Sequence, residues 1–109
     1  MTQSVAPQTP VYMLANLTVH DAAAYRTYEK GFFPLLKRHG GALVTLDDRP
    51  MTLEGAAPPQ GRVVIFSFPS EGHAGAWYAD PDYQALSAHR RAGTRLTFLT
   101  MVRGLPPRA

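Results

Sequence analysis

Cysteine is missing altogether from this chain of 109 residues. No disulfide, thiolate nucleophile or thiolate metal site can therefore be built from it. Also missing is any apolar run close to the roughly 20 residues that a membrane-spanning helix needs, so no contact with a membrane is expected. The first ten residues, Met1 to Pro10, lack the charged start and apolar stretch of a secretory signal. Polar and proline-bearing, they are expected to form a flexible tail over 1–10, ahead of a cytoplasmic domain. Positive charge is present but not concentrated. The net charge is +3, with Arg26, Lys30, Lys37, Arg38, Arg49 and Arg62 scattered and only Arg90-Arg91 and Arg95 close together. Nucleic-acid binding calls for a basic stripe with interleaved aromatics, and none is found. His20, His39, His73 and His89 form no His-x-x-x-His pair and have no carboxylate at ligand spacing, which argues against a dedicated metal site. Nor is there a nucleophile elbow, phosphate loop or paired-carboxylate motif to support a hydrolase or a kinase.

What the chain does have is apolar content of 45 %, too much for a disordered polymer and enough for one small core. Val11 to Val19 is rich in β-formers and predicts a first strand. Asp21 is placed to cap a helix in which Tyr25, Tyr28, Phe32, Leu35 and Leu36 share a face. Pro34 predicts a break or kink near Gly31, and Gly40-Gly41 should stop the helix. Ala42 to Leu46 reads as a second strand, Asp47 to Pro50 as a turn, and Met51 to Glu54 as a short continuation or hairpin partner. A loop follows over Gly55 to Gly61, then the strongest strand signal, Arg62 to Phe68. Ser70 suits the cap of a helix carrying Ala74, Trp77 and Tyr78. Asp80-Pro81 restarts a helix, with aspartate at the cap and proline at its first position. Leu96 to Val102 closes the order as a last strand. The expected organisation is a single domain over 11–104 and a flexible end over 105–109, with βαββαβ order in the α+β class.

Strand side chains alternate between faces, so the face away from the helices can be inspected. Tyr12 and Leu14 oppose Val11, Met13, Ala15, Leu17 and Val19 in the first strand. Val63 and Ile65 oppose Val64, Phe66 and Phe68, while Leu96, Phe98 and Val102 oppose Leu99 and Met101. Both faces are apolar, whereas a half-solvated antiparallel sheet is polar outside. A second copy offering the same face is the simplest cover, so a homodimer through the sheet is expected.

Four stretches carry a family resemblance. They are Asn16-Leu17-Thr18-Val19-His20-Asp21 with Tyr25 and Tyr28, the Gly40-Gly41 turn, Leu53-Glu54-Gly55, and the block from Arg62 to Leu86 with Arg90 beyond it. Together, and most specifically through Trp77-Tyr78, Pro81, Tyr83-Gln84 and Leu86, they resemble the domain of unknown function numbered thirteen-thirty, in the dimeric α+β barrel superfamily. Ser67 stands where an acidic residue is common there, and Asp47-Asp48 where a glycine pair is usual. The resemblance implies a ferredoxin-like subunit with an antiparallel sheet packed face to face on its twin. It implies no one activity, since the superfamily includes cofactor-free monooxygenases, isomerases, cyclases, haem-handling enzymes and stress proteins, and shape alone does not choose among them. A haem-degrading relative would carry a histidine ten residues after Trp77, and Ser87 is there instead. No cofactor is expected.

The candidate residues follow from spacing. Tyr83 and Arg90 lie seven apart, hence on one helix face, and both bring hydrogen-bond donors that can hold a carbonyl, enolate or carboxylate. Asn16 is the polar residue of a strand otherwise built for burial, and its amide can orient a substrate oxygen or satisfy nearby backbone groups. His39 has a suitable pKa for proton transfer, or serves as a solvated helix end. These four are the candidate catalytic residues. Tyr12, Tyr28 and Trp77 are candidate substrate-binding walls, with plain core packing as the alternative. The reading is a cofactor-independent enzyme of isomerase, cyclase or monooxygenase type, acting on a small apolar oxygen-bearing molecule between helices and sheet. The alternative is a non-catalytic, ligand-binding or stress-related homodimer.

Overall fold

The computed structural model describes residues 9–106. The elements are β1 (Val11–Val19), α1 (Ala22–Arg38), β2 (Ala42–Asp47), β3 (Arg62–Phe68), α2 (Glu71–Ala79), α3 (Pro81–Gly93) and β4 (Thr94–Arg103). One antiparallel sheet with strand order β2-β3-β1-β4 and helices on one side make a ferredoxin-like α+β fold. The flexible tail expected over 1–10 falls mainly outside the described residues, as do the last three residues of the expected C-terminal one; Leu105 and Pro106 are exposed and without regular structure.

Local chemistry explains the boundaries. The Asp21 carboxylate accepts from the Ala23 and Ala24 amides, supplying partners that the first turn of a helix lacks. At the other end Gly40 adopts φ 75°, and the Gly41 amide donates to the Leu36 carbonyl at 2.8 Å, a left-handed stop that glycine takes without a Cβ penalty. Of the break or kink expected near Gly31, the break does not occur: α1 runs unbroken through Pro34. Pro34 and Lys30 are both exposed, so the carbonyl that proline leaves without a partner faces water. Met51 to Glu54 forms no strand; it lies in the exposed loop between β2 and β3. The second helical region divides at Asp80, whose side chain accepts from the Asp82 amide at 2.9 Å, with Pro81 opening α3.

The core sits between helices and sheet. Val11, Met13, Ala15 and Leu17 of β1 are buried with Val64, Phe66 and Phe68 of β3 and with Tyr25, Tyr28, Phe32, Leu35 and Leu36 of α1. The register places Leu14 between Ile65 and Thr100, and Asn16 between Val63 and Phe98. Tyr12, Leu14, Val63, Ile65, Phe98 and Val102 therefore share the face away from the helices. Phe98 and Val102 remain 38 % and 42 % exposed there. One expected alternation is corrected. A register shift between Asn16 and Leu17 pairs them with Phe98 and Leu96, leaving Thr97 as the extra residue of a β-bulge. Leu96 thereby joins Leu99 and Met101 on the helix side rather than Phe98 and Val102 on the outer side.

Candidate functional site

The helix side of the sheet is not filled everywhere. A narrow cleft, with a cavity volume of about 40 Å³, runs between α1, α3 and the sheet. Tyr25, Tyr28 and Phe32 supply one wall, Tyr83 and Arg90 another, and Ala15, Leu17, Val64 and Leu99 the floor. The steps of three and four along α1, and of seven along α3, bring these side chains onto facing stripes. Close helix approach is helped by Gly93, where a Cβ would lie 2.9 Å from the Asp21 carbonyl. At the mouth stand Phe33, Leu43, Leu46 and Leu96, all partly exposed.

Inside, the Tyr28 and Tyr83 hydroxyls lie 2.9 Å apart. Burial, with Tyr83 beside it, holds the Tyr28 phenol well above its ordinary pKa of 10. At neutral pH it is a hydrogen-bond donor and not a base. The Arg90 side chain crosses the Tyr28 ring, its guanidinium carbon 5.9 Å from the ring centroid, within cation–π range. Arg90 is only 5 % exposed, its Nε has no hydrogen-bond partner, and no carboxylate among the described residues pairs with it. Buried charges are ordinarily paired, which makes Arg90 the outstanding group of the cleft.

The other arginine at the cleft is fully engaged. Arg62 donates from Nη1 to Glu29 at 3.0 Å, and from Nε and Nη2 to Asp48 at 2.6 and 3.3 Å. It also lies 5.5 Å from the Tyr25 ring centroid. The Asp48 carboxylate raises its pKa further above an already high value. Tyr25 is raised chiefly by burial. A second depression, wider and more open at about 560 Å³, adjoins the first between α3 and β4. Met13, Tyr78, Arg91, Thr94 and Met101 line it, and Arg90, Leu96 and Leu99 belong to both. Arg90 is thus the partition between two hollows.

The structure brings Tyr28, Tyr83 and Arg90 together. Trp77, with no exposed surface, packs behind Tyr83 at 4.1 Å between ring centroids; it supports the wall and does not line the cleft. Asn16 and Tyr12 project to the opposite side of the sheet, since the helix-facing set of β1 is Val11, Met13, Ala15 and Leu17. The Asn16 amide donates to the carbonyls of Gln60 and Arg62 at 2.8 and 3.0 Å, so it pins the β2–β3 loop where Gly61 turns with φ 77°. His39, at the end of α1, places Nε2 2.8 Å from the Asp80 carboxylate. With a backbone amide and Arg38 in addition, His39 lowers the Asp80 pKa to about 2. This cluster joins α1 to α3 and does not reach the cleft. The Ser87 hydroxyl donates to the Tyr83 carbonyl at 2.9 Å. Among the described residues no group of three or more His, Asp or Glu could hold a metal ion, and no helix is long and apolar enough to cross a membrane.

Spacing alone did not reveal Arg62 and Glu29. They are 33 positions apart, and the usable signal was a glutamate one turn after Tyr25 facing the arginine that opens β3.

Comparison with known proteins supports the fold. No curated protein matches the chain. A protein of unknown function from Rhodopseudomonas palustris is 23 % identical, with 95 % of this chain and 86 % of that one covered and a TM-score of 0.71. SnoaB, a cofactor-independent oxygenase from Streptomyces nogalater, is 14 % identical over 93 % of this chain and 96 % of its own, with a TM-score of 0.60. A nipsnap family protein of unknown function from Agrobacterium tumefaciens is 17 % identical over 97 % and 94 %, with a TM-score of 0.58. At these identities the likeness is one of fold. Nearly the whole described domain, residues 10–105, matches one family model, and the chain belongs to that family, the domain of unknown function DUF1330.

Proposed function

We propose that the chain is a cofactor-independent enzyme of isomerase, cyclase or monooxygenase type, acting on a small, largely apolar molecule that presents an oxygen to Arg90, Tyr28 and Tyr83. One observation carries the reading: a buried guanidinium without a carboxylate beside two hydroxyls in an apolar cleft. Donors held in a water-poor site favour charge developing on a substrate oxygen. They select reactions through enolate-like or phenolate-like anions, namely proton transfer, isomerisation, cyclisation or oxygenation of a stabilised carbanion. The fold shared with a cofactor-independent oxygenase supports it. The working unit is a cytoplasmic homodimer, joined through the apolar outer face that carries Leu14, Ile65 and Phe98. Asn16, His39 and Tyr12 act in this reading on the loop, the helix junction and the dimer face.

Oxygen uptake and ultraviolet absorbance across a panel of phenols and β-dicarbonyls test the activity. Turnover that falls at least about tenfold in Arg90→Ala and Tyr83→Phe, with folding intact, supports it; equal turnover in both removes the site. A specific feature favours a second reading, a non-catalytic ligand-binding homodimer. Among the described residues Glu29 is the one carboxylate at the cleft, tied to Arg62, and no histidine lines it. Tight binding without turnover across the same panel selects that alternative.

A further inference from the structure

Arg90 differs from the other cations near it in being buried, 5 % exposed, with no carboxylate among the described residues paired to it. Arg62 is held by two carboxylates, and Arg91, which lines the wider depression, is exposed to screening water and reaches only the neutral Gln84 amide at 3.2 Å. A ligand carrying negative charge therefore finds its complement at the partition and not at the mouth. Room points the same way. The closed cleft, at about 40 Å³, admits a head group and little else. The adjoining depression, at about 560 Å³, falls within the roughly 300–1,000 Å³ usual for small-molecule sites. Its floor is Met13, Leu99 and Met101, flexible and apolar side chains suited to an organic body. Resting on the site proposed above, we infer that the natural ligand is an amphipathic organic monoanion, its planar oxygen-bearing head on Arg90 and its apolar body between α3 and β4. Among the described residues Arg90 is the one buried guanidinium, and beside the Tyr28 and Tyr83 hydroxyls it balances one negative charge.

Calorimetric titration with 2-naphthoate and 2-naphthamide, alike in shape but not in charge, tests this on the native protein. Naphthoate should bind at least about tenfold tighter, the size of one charge-assisted hydrogen bond at a desolvated site. In Arg90→Met the preference should vanish, and in Met101→Trp, which fills the depression, both ligands should weaken. Equal affinities in the native protein overturn the charge assignment and leave the cleft as a binding site for neutral molecules. Undiminished binding to Met101→Trp overturns the seat of the body. Failure of both probes to bind the native protein overturns this inference and the small-molecule reading beneath it.

Discussion

Arg90, 5 % exposed, works against stability through its buried Nε–H, whose lost hydration is returned by no partner among the described residues. Arg90→Met keeps the aliphatic stem that packs on Tyr28 and removes the charge. It is expected to raise unfolding free energy in urea by about 1 kcal/mol while abolishing preference for anions, the trade usual where a site is kept for function. A loss of stability instead would show that Arg90 holds the fold. Tyr28 supplies a second residue-level expectation. Its folded pKa lies above the ordinary 10 through burial, so the folded state keeps a proton that the unfolded state gives up. The stability this contributes is intact below about pH 10 and is lost as pH rises through the raised value. In an alkaline absorbance titration, Tyr28→Phe should lose amplitude from the late-ionising phase. Loss from the early phase would contradict the burial argument. Tyr83 and Arg90 were legible from the sequence because a seven-residue step keeps one helix face whatever the neighbours do. The pairing state of Arg90 was not, since it depends on carboxylates that tertiary structure directs to Arg62.

Strands and helices explain where the other candidate residues lie. The sequence makes Asn16 a candidate substrate contact. Alternation alone set it beside Tyr12 and Leu14, but not on either side of the sheet relative to the helices. Its two bonds to the Gln60 and Arg62 carbonyls give it the plainer task of anchoring the β2–β3 loop. Asn16→Ala should cost about 1–2 kcal/mol and speed proteolytic cleavage between Asp48 and Gly61; unchanged stability and cleavage would show the anchor to be idle. The bulge at Thr97 moved Leu96 to the helix side, and no periodic pattern announces a one-residue insertion in advance. The strands Val11–Val19 and Arg62–Phe68, by contrast, matched their β-rich runs, and Asp21, Ser70 and Asp80 are helix caps as their side chains suggest. At the α1–α3 junction, Asp80 is lowered to about 2 from an ordinary 3.8, first by His39. That stabilisation is present above pH 3.8 and fades as pH falls toward 2. Asp80→Asn should flatten the acid-unfolding profile across that window, and an unaltered profile would remove the junction from the acid response.

At the scale of the whole molecule the sheet carries apolar side chains on both faces. One carries the helices and the two hollows that meet at Arg90. The other shows Leu14, Val63, Ile65, Phe98 and Val102 to whatever lies beyond. If a second copy covers it, analytical ultracentrifugation finds a dimer at micromolar concentration, and Ile65→Lys, a charge in the middle of that face, yields a folded monomer. A native monomer would leave this face without its proposed partner. The hollows, lying on the far side of the sheet, should keep their ligand preference in that monomer. The most direct test of the account is the nuclear magnetic resonance spectrum of isotopically labelled protein during titration with 2-naphthoate. Shifts should gather on the Arg90 Nε–H, Tyr28, Tyr83 and Met101 and leave Asn16, Gln60 and Phe98 undisturbed. Shifts centred on those last three, with the Arg90 signal unmoved, would contradict it.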